Sequence, residues 1–186
     1  MSRMPGVGVA SARVRRRGRA SIPRMHVSAE DLHALLRSAG ASVATAESLT
    51  GGRLAALLTS VPGASATYVG GVVSYATELK QSLLGVPEAL VAEHGVVSAP
   101  CARAMAAGVR GLTGSTYALA TTGVAGPDRQ EGHPPGTVFV GVAGPDGERA
   151  VRLRLAGDRA AVQDQTCRAA VGLLGAILSG EETPLG

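Results

Sequence analysis

Ser48 stands where a short apolar run, Val43 to Ala46, gives way to Leu49-Thr50-Gly51-Gly52 and then to a helical pattern ending near Thr59. A hydroxyl at a strand-to-helix turn is lifted above the sheet edge. The N–H groups of the helix start, at Thr50, Gly51 and Gly52, can receive a developing oxyanion or a phosphate there. This is the setting of a serine nucleophile. A Ser or Thr before a helix is equally the setting of a plain N-cap, so Ser48 and Thr50 leave both readings open. The turn matches neither the Gly-x-Ser-x-Gly elbow nor a phosphate loop ending in Gly-Lys-Ser or Gly-Lys-Thr.

A serine nucleophile needs a base, and none of the four histidines is spaced to couple with this turn, which directs attention to lysine. The chain has one lysine, Lys80, against 17 arginines. Arginine stays charged, so only the lysine could accept a proton, although a lone lysine on a helix can also be an ordinary surface residue. To act near neutral pH its pKa would have to fall from ~10.4 to about 7–8. Burial would do that, helped by Arg159 or by the helix start after Gly51.

Three further groups fall where such a site would be. Tyr75, five residues before Lys80, carries a hydroxyl suited to relaying a proton or to bonding a substrate, or simply wetted at a strand end. Thr121-Thr122-Gly123, continuing to Gly126, supplies hydroxyls and backbone N–H groups on a loop that can approach a ligand closely. Gly157-Asp158-Arg159 opens the last helix, with Asp158 as its cap and Arg159 placed for a phosphate monoester or for solvent.

The elements that must hold these residues alternate. A capped helix begins at Ser28-Ala-Glu-Asp31 and stops at Gly40. Val43 to Ala46 is a strand, Gly51 to Thr59 a helix, Val69 to Tyr75 a strand and Thr77 to Leu84 a helix. A short helix over Pro87 to His94 and a helix capped by Ser98 follow. Tyr117 to Thr121 reads as a buried strand, Thr137 to Ala143 and Arg149 to Leu155 as a hairpin around Gly144-Pro-Asp-Gly147, and Asp158 to Leu178 as the last helix. This order predicts an α/β fold: a single-domain three-layer α/β/α sandwich on a mixed, mostly parallel sheet, with ligands at the carboxyl ends of the strands. The polar stretch from Gly126 to Gly136 reads as a mobile loop beside the site.

Composition narrows the class. At 186 residues there is room for one domain, expected over residues 25–182, with tails at 1–24 and 183–186. Aromatics are 2% of the chain, too few for base-stacking platforms. Residues 1–24 hold seven arginines and no acid; without those seven, eleven basic residues face fourteen acidic ones, a net charge of −3. The tail is predicted to be disordered, either a nucleic-acid or membrane-surface arm or an extension ahead of a start at Met25. Beyond that arm no nucleic-acid partner is expected. Neither a signal peptide nor a membrane span is predicted, which makes the cytoplasm the expected location. Cys101 and Cys167 read as buried small apolar residues, and neither a metal nor another cofactor is expected.

Thr45-Ala-Glu-Ser-Leu-Thr-Gly-Gly52, Ser74-Tyr-Ala-Thr-Glu-Leu-Lys80, Thr122-Gly-Val-Ala-Gly-Pro-Asp128, Pro135-Gly-Thr-Val138 and Gly157-Asp-Arg159 together resemble the CinA C-terminal domain, or nicotinamide-nucleotide amidohydrolase (PncC), family. The resemblance spans roughly residues 28 to 178. It implies hydrolysis of nicotinamide mononucleotide to nicotinate mononucleotide and ammonia, with Ser48 as nucleophile, Lys80 as base and Tyr75, Thr122 and Arg159 in support. It also implies a homo-oligomer. The sequence departs from the family pattern at Leu49, Thr77 and Arg129-Gln130. The other readings are a nucleotide-binding module without catalysis and a competence or DNA-damage accessory protein working through the Arg-rich tail.

Overall fold

The computed structural model describes residues 27–181; both tails lie outside the described residues. The first helix, α1 (Ala29–Ser38), starts on a reciprocal cap. The Ser28 hydroxyl accepts the Asp31 N–H at 3.1 Å and the Asp31 carboxylate accepts the Ser28 N–H at 3.1 Å. There follow β1 (Val43–Glu47), α2 (Arg53–Thr59), a 3-10 turn (Ala64–Ala66), β2 (Tyr68–Val73), α3 (Thr77–Leu84), α4 (Glu88–His94) and α5 (Ala99–Thr113). The chain closes with β3 (Tyr117–Gly123), β4 (Thr137–Gly144), β5 (Gly147–Arg154) and α6 (Arg159–Leu178). Ser98 caps α5 through the Cys101 N–H at 3.2 Å, and Asp158 caps α6 through the Ala161 N–H at 2.9 Å.

The five strands form one mixed sheet in the order β2-β1-β3-β4-β5. β1 is parallel to both β2 and β3, while β4 is antiparallel to β3 and to β5. Four strands therefore share one direction and β4 alone opposes them. The β4–β5 hairpin closes on the pair Gly144 and Gly147, leaving only Pro145 and Asp146 in the turn.

Strand alternation divides the core into two layers. One face offers Val43, Leu119, Val138, Val140 and Val142 to α1, α2 and α6; the other offers Ala44, Ala46, Ala118, Ala120 and Ala143 to α5. The second face is built small because α5 lies very close to it: a Cβ at Gly141 would sit 2.2 Å from the Ala102 carbonyl oxygen. Large apolar residues of the first face, such as Leu32, Leu54 and Leu174, are fully buried; each contributes roughly 1.5–3 kcal/mol on burial. Among the described residues no helix is long and apolar enough to cross a membrane.

Candidate active site

β1, β2 and β3 end on the same side of the sheet, and β1, between the other two, is where the winding direction reverses. Such a switch point leaves a crevice at the strand ends. A cleft of about 420 Å³ opens there, lined by Ser48 after β1, Tyr75 after β2, Lys80 on α3, Thr122 to Gln130 at the end of β3 and beyond it, and Arg159 at the start of α6.

Ser48 reaches this cleft because its backbone continues the β1–β3 ladder, its N–H donating to the Thr121 carbonyl at 2.9 Å, before the chain turns. Its half-buried hydroxyl bonds to no other group among the described residues, so the plain N-cap reading fails. Another residue caps α2. Glu47, 1% exposed, accepts the N–H groups of Gly52 at 3.0 Å, Leu54 at 3.0 Å and Ala55 at 2.8 Å. The helix start expected to receive an oxyanion is thus already occupied by a carboxylate.

This corrects the placement of three predicted site residues. Gly52 donates to Glu47, Gly51 donates to the Ser48 carbonyl at 3.1 Å, and Thr50, 1% exposed, pairs its hydroxyl with that of Thr121 at 2.7 Å. None of Thr50, Gly51 and Gly52 lines the cleft. Leu49 does, and among the described residues no group accepts its N–H. Its carbonyl is fixed by the Gln163 side chain of α6 at 2.7 Å.

Lys80 is a cleft residue, not a surface one. On α3 it shares an inward face with Leu84, one turn on, and is 1% exposed. Its Nζ donates to the carbonyls of Ser74 at 2.6 Å and Tyr75 at 3.3 Å. Burial pushes the amine below its ordinary range, opposed by Cys101, Glu131 and Glu78, which favour the charged form. Desolvation is thus the main cause, as expected, while neither Arg159 nor the start of α2 adds to it. Ser48 and Lys80 share the cleft without a direct hydrogen bond between them. Beside them the Ser74 hydroxyl is fully buried and has no partner among the described residues.

The rim is a second cluster. Arg159 donates through Nη2 to the Tyr75 hydroxyl at 2.7 Å and through Nη1 to the Gly126 carbonyl at 2.9 Å. Both side chains are exposed, so the guanidinium keeps donors facing the opening. Thr122, predicted as a ligand group, instead donates its buried hydroxyl to the Val96 carbonyl at 2.7 Å, retaining only acceptor capacity toward the cleft. Gly123 and Gly126 line the wall as backbone. The stretch expected to be mobile is tied down: Gln130 and His133 exchange backbone hydrogen bonds at 3.1 and 2.8 Å, and Glu131 bonds the N–H groups of Val96 and Val97. Val96 and Glu131 carried no signal in the sequence, since their contact joins residues 35 positions apart.

The CinA C-terminal domain profile matches residues 25–178. The chain belongs to the CinA C-terminal domain family. It is 54% identical over 146 residues to a CinA-like protein of Frankia casuarinae, covering 78% of this chain and 34% of that protein. With a CinA-like protein of Anaeromyxobacter dehalogenans the identity is 49% over 142 residues, 76% of this chain and 35% of the relative. The chain thus spans about a third of the length of these relatives. Among solved structures, a competence-damaged protein (CinA) superfamily member from Klebsiella pneumoniae superposes with a TM-score of 0.78 at 37% identity, covering 80% of this chain and 94% of that one. The CinA fold is therefore the fold described above.

Proposed function

We infer that this CinA-family chain is an amidohydrolase acting on the carboxamide of nicotinamide mononucleotide, with Ser48 as nucleophile and Lys80 as base. The observation that carries the reading is the lone lysine, fully buried in a cleft that also holds an uncommitted serine hydroxyl. A neutral amine donating its two hydrogens to the Ser74 and Tyr75 carbonyls keeps one lone pair for a third direction. That is the geometry required of a base.

In this scheme Lys80 takes the Ser48 proton as Oγ bonds to the carboxamide carbon, and the carbonyl π pair moves onto oxygen. The Leu49 N–H, adjacent to the nucleophile, is the donor for that oxyanion, replacing the Gly51 and Gly52 groups. Collapse breaks the C–N bond, the departing nitrogen takes the proton from Lys80, and ammonia leaves. Water then attacks the Ser48 ester, giving up a proton to Lys80, which passes it to the departing Ser48 oxygen; the carboxylic acid so formed loses its proton to solvent and departs as carboxylate. Arg159, anchored on Tyr75 and Gly126, offers its remaining donors to the ribose phosphate.

Ammonia release from nicotinamide mononucleotide tests the reading, with free nicotinamide, Ser48→Ala and Lys80→Met alongside. The expected result is release from the mononucleotide, much less from nicotinamide, and none above background from either variant. Full activity in Ser48→Ala or Lys80→Met removes that residue from its role. Tight binding of the mononucleotide without ammonia would make the chain a binding module.

A further inference from the structure

Glu131 is, among the described residues, the sole non-glycine at positive φ, at 48°. It occupies the first central position of the turn Gln130 to His133, with Gly132 at φ 76° in the second, the pattern of a type I′ turn. That position favours Gly, Asn or Asp, so a glutamate there has a local conformational cost and needs another reason. The reason is what its carboxylate reaches. Oε1 accepts the Val96 N–H at 3.1 Å and Oε2 the Val97 N–H at 2.9 Å, just ahead of α5. Position 95 is cut to fit: Gly95 lies at φ 73°, and a Cβ there would stand 2.5 Å from Glu131 Oε2.

The contact bears directly on the cleft. Val96 lines it and accepts the Thr122 hydroxyl from the other side, while Asp128, Arg129 and Gln130, the three residues before Glu131, form its outer wall. Arg129 is itself folded back on the turn, donating to the Gly132 carbonyl at 2.6 Å. We propose that Glu131 is a positioning residue of this cleft, a latch whose carboxylate docks the 126–133 loop against the start of α5 and so presents Asp128, Arg129 and Gln130 to the substrate. This rests on the amidohydrolase reading only for its catalytic readout. Cys101 on α5, Glu131 on the loop and Glu78 on α3 all favour the charged form of Lys80, and Tyr75, Asp128, Arg129 and Arg159 share its cleft. The latch therefore also holds a negative charge in the field of the base.

Glu131→Gly separates the latch from the turn, because glycine relieves the backbone and removes only the carboxylate. In this variant of the full chain, Val96 and Val97 amide exchange is expected to accelerate about tenfold or more, the loss of a charge-assisted acceptor. Melting should be little changed. KM for nicotinamide mononucleotide is expected to rise by about the same factor while kcat falls less, and the acid limb of the pH profile to move to lower pH as Lys80 loses a favouring charge. Glu131→Gln, which keeps one acceptor, should fall between. Unchanged exchange at Val96 and Val97 overturns the latch, and so does faster exchange with KM unmoved. If Glu131→Gly does not fold, Glu131→Gln carries the same comparison. Should the wild-type chain release no ammonia, the amidohydrolase reading fails, and amide exchange with calorimetric binding of the mononucleotide still decides the latch.

Discussion

Glu47→Gln is the most demanding test of how the turn after β1 is built. The carboxylate is buried, accepts three backbone N–H bonds of 3.0, 3.0 and 2.8 Å from the first turn of α2, and forms no ion pair among the described residues. Glutamine has the same shape but one acceptor oxygen. Its best orientation keeps the carbonyl on Gly52 and Leu54 and turns the NH2 group against the Ala55 N–H. That leaves a buried donor unpaired, at about 1–3 kcal/mol, and makes the two surviving bonds neutral, at roughly half their strength. Relief of the buried charge offsets part of this, so the net loss is about 2–4 kcal/mol. For a chain of 186 residues each kcal/mol moves Tm by roughly 2–4 °C, so melting should fall by about 5–15 °C. Circular dichroism in parallel thermal and urea series measures it, with an unchanged urea m-value showing that stability alone has moved. A variant melting within about 2 °C of wild type would refute the reasoning, because a capping carboxylate cannot be that dispensable.

Further expectations follow from the same geometry. Burial lowers the Lys80 pKa from 10.5, so the ammonia release proposed for this chain should rise with pH along a single limb lying below that value, and kcat/KM against pH in wild type checks it; a limb at or above 10.5 would contradict the burial argument. Ser74→Ala removes a buried hydroxyl without a partner and should melt no lower than wild type by calorimetry; loss of ammonia release with stability intact would make that hydroxyl part of the proton path. The thiols of Cys101 and Cys167 are pushed up to about 11 and about 12 by burial, so a thiolate-specific reagent at neutral pH should label neither until denaturant unfolds the chain; prompt labelling of the native protein would show the packing to be looser than described.

Much of this fold could be read from local chemistry. The Ser28, Ser98 and Asp158 caps and the hairpin around Gly144 to Gly147 are signals contained within a few residues, and each falls in the structure where the sequence puts it, although β5 starts two residues earlier than expected. Ser48, Tyr75, Lys80, Gly123, Gly126 and Arg159 line one cleft, because the ends of β1, β2 and β3, the α3 helix and the start of α6 converge there. Local signals are silent where a contact reaches across the chain. Glu47 caps α2 from five to eight residues upstream, outside any short capping pattern, and so displaced the predicted role of Gly51 and Gly52. Glu131 ties down a loop whose polarity alone suggested mobility, and its partners Val96 and Val97 are ordinary apolar residues offering only backbone. Thr122 lines the cleft, yet its hydroxyl bonds a carbonyl that only the α4–α5 connection brings near.

Because Lys80 is the only lysine in the chain and is 1% exposed, the molecule carries a single ε-amine, withdrawn from solvent. An acylating reagent therefore finds no decoy ε-amine on the outside. Any such modification inside the folded body reports on entry to the cleft, and a reagent shaped to enter it would acylate Lys80 without marking another side chain of that type.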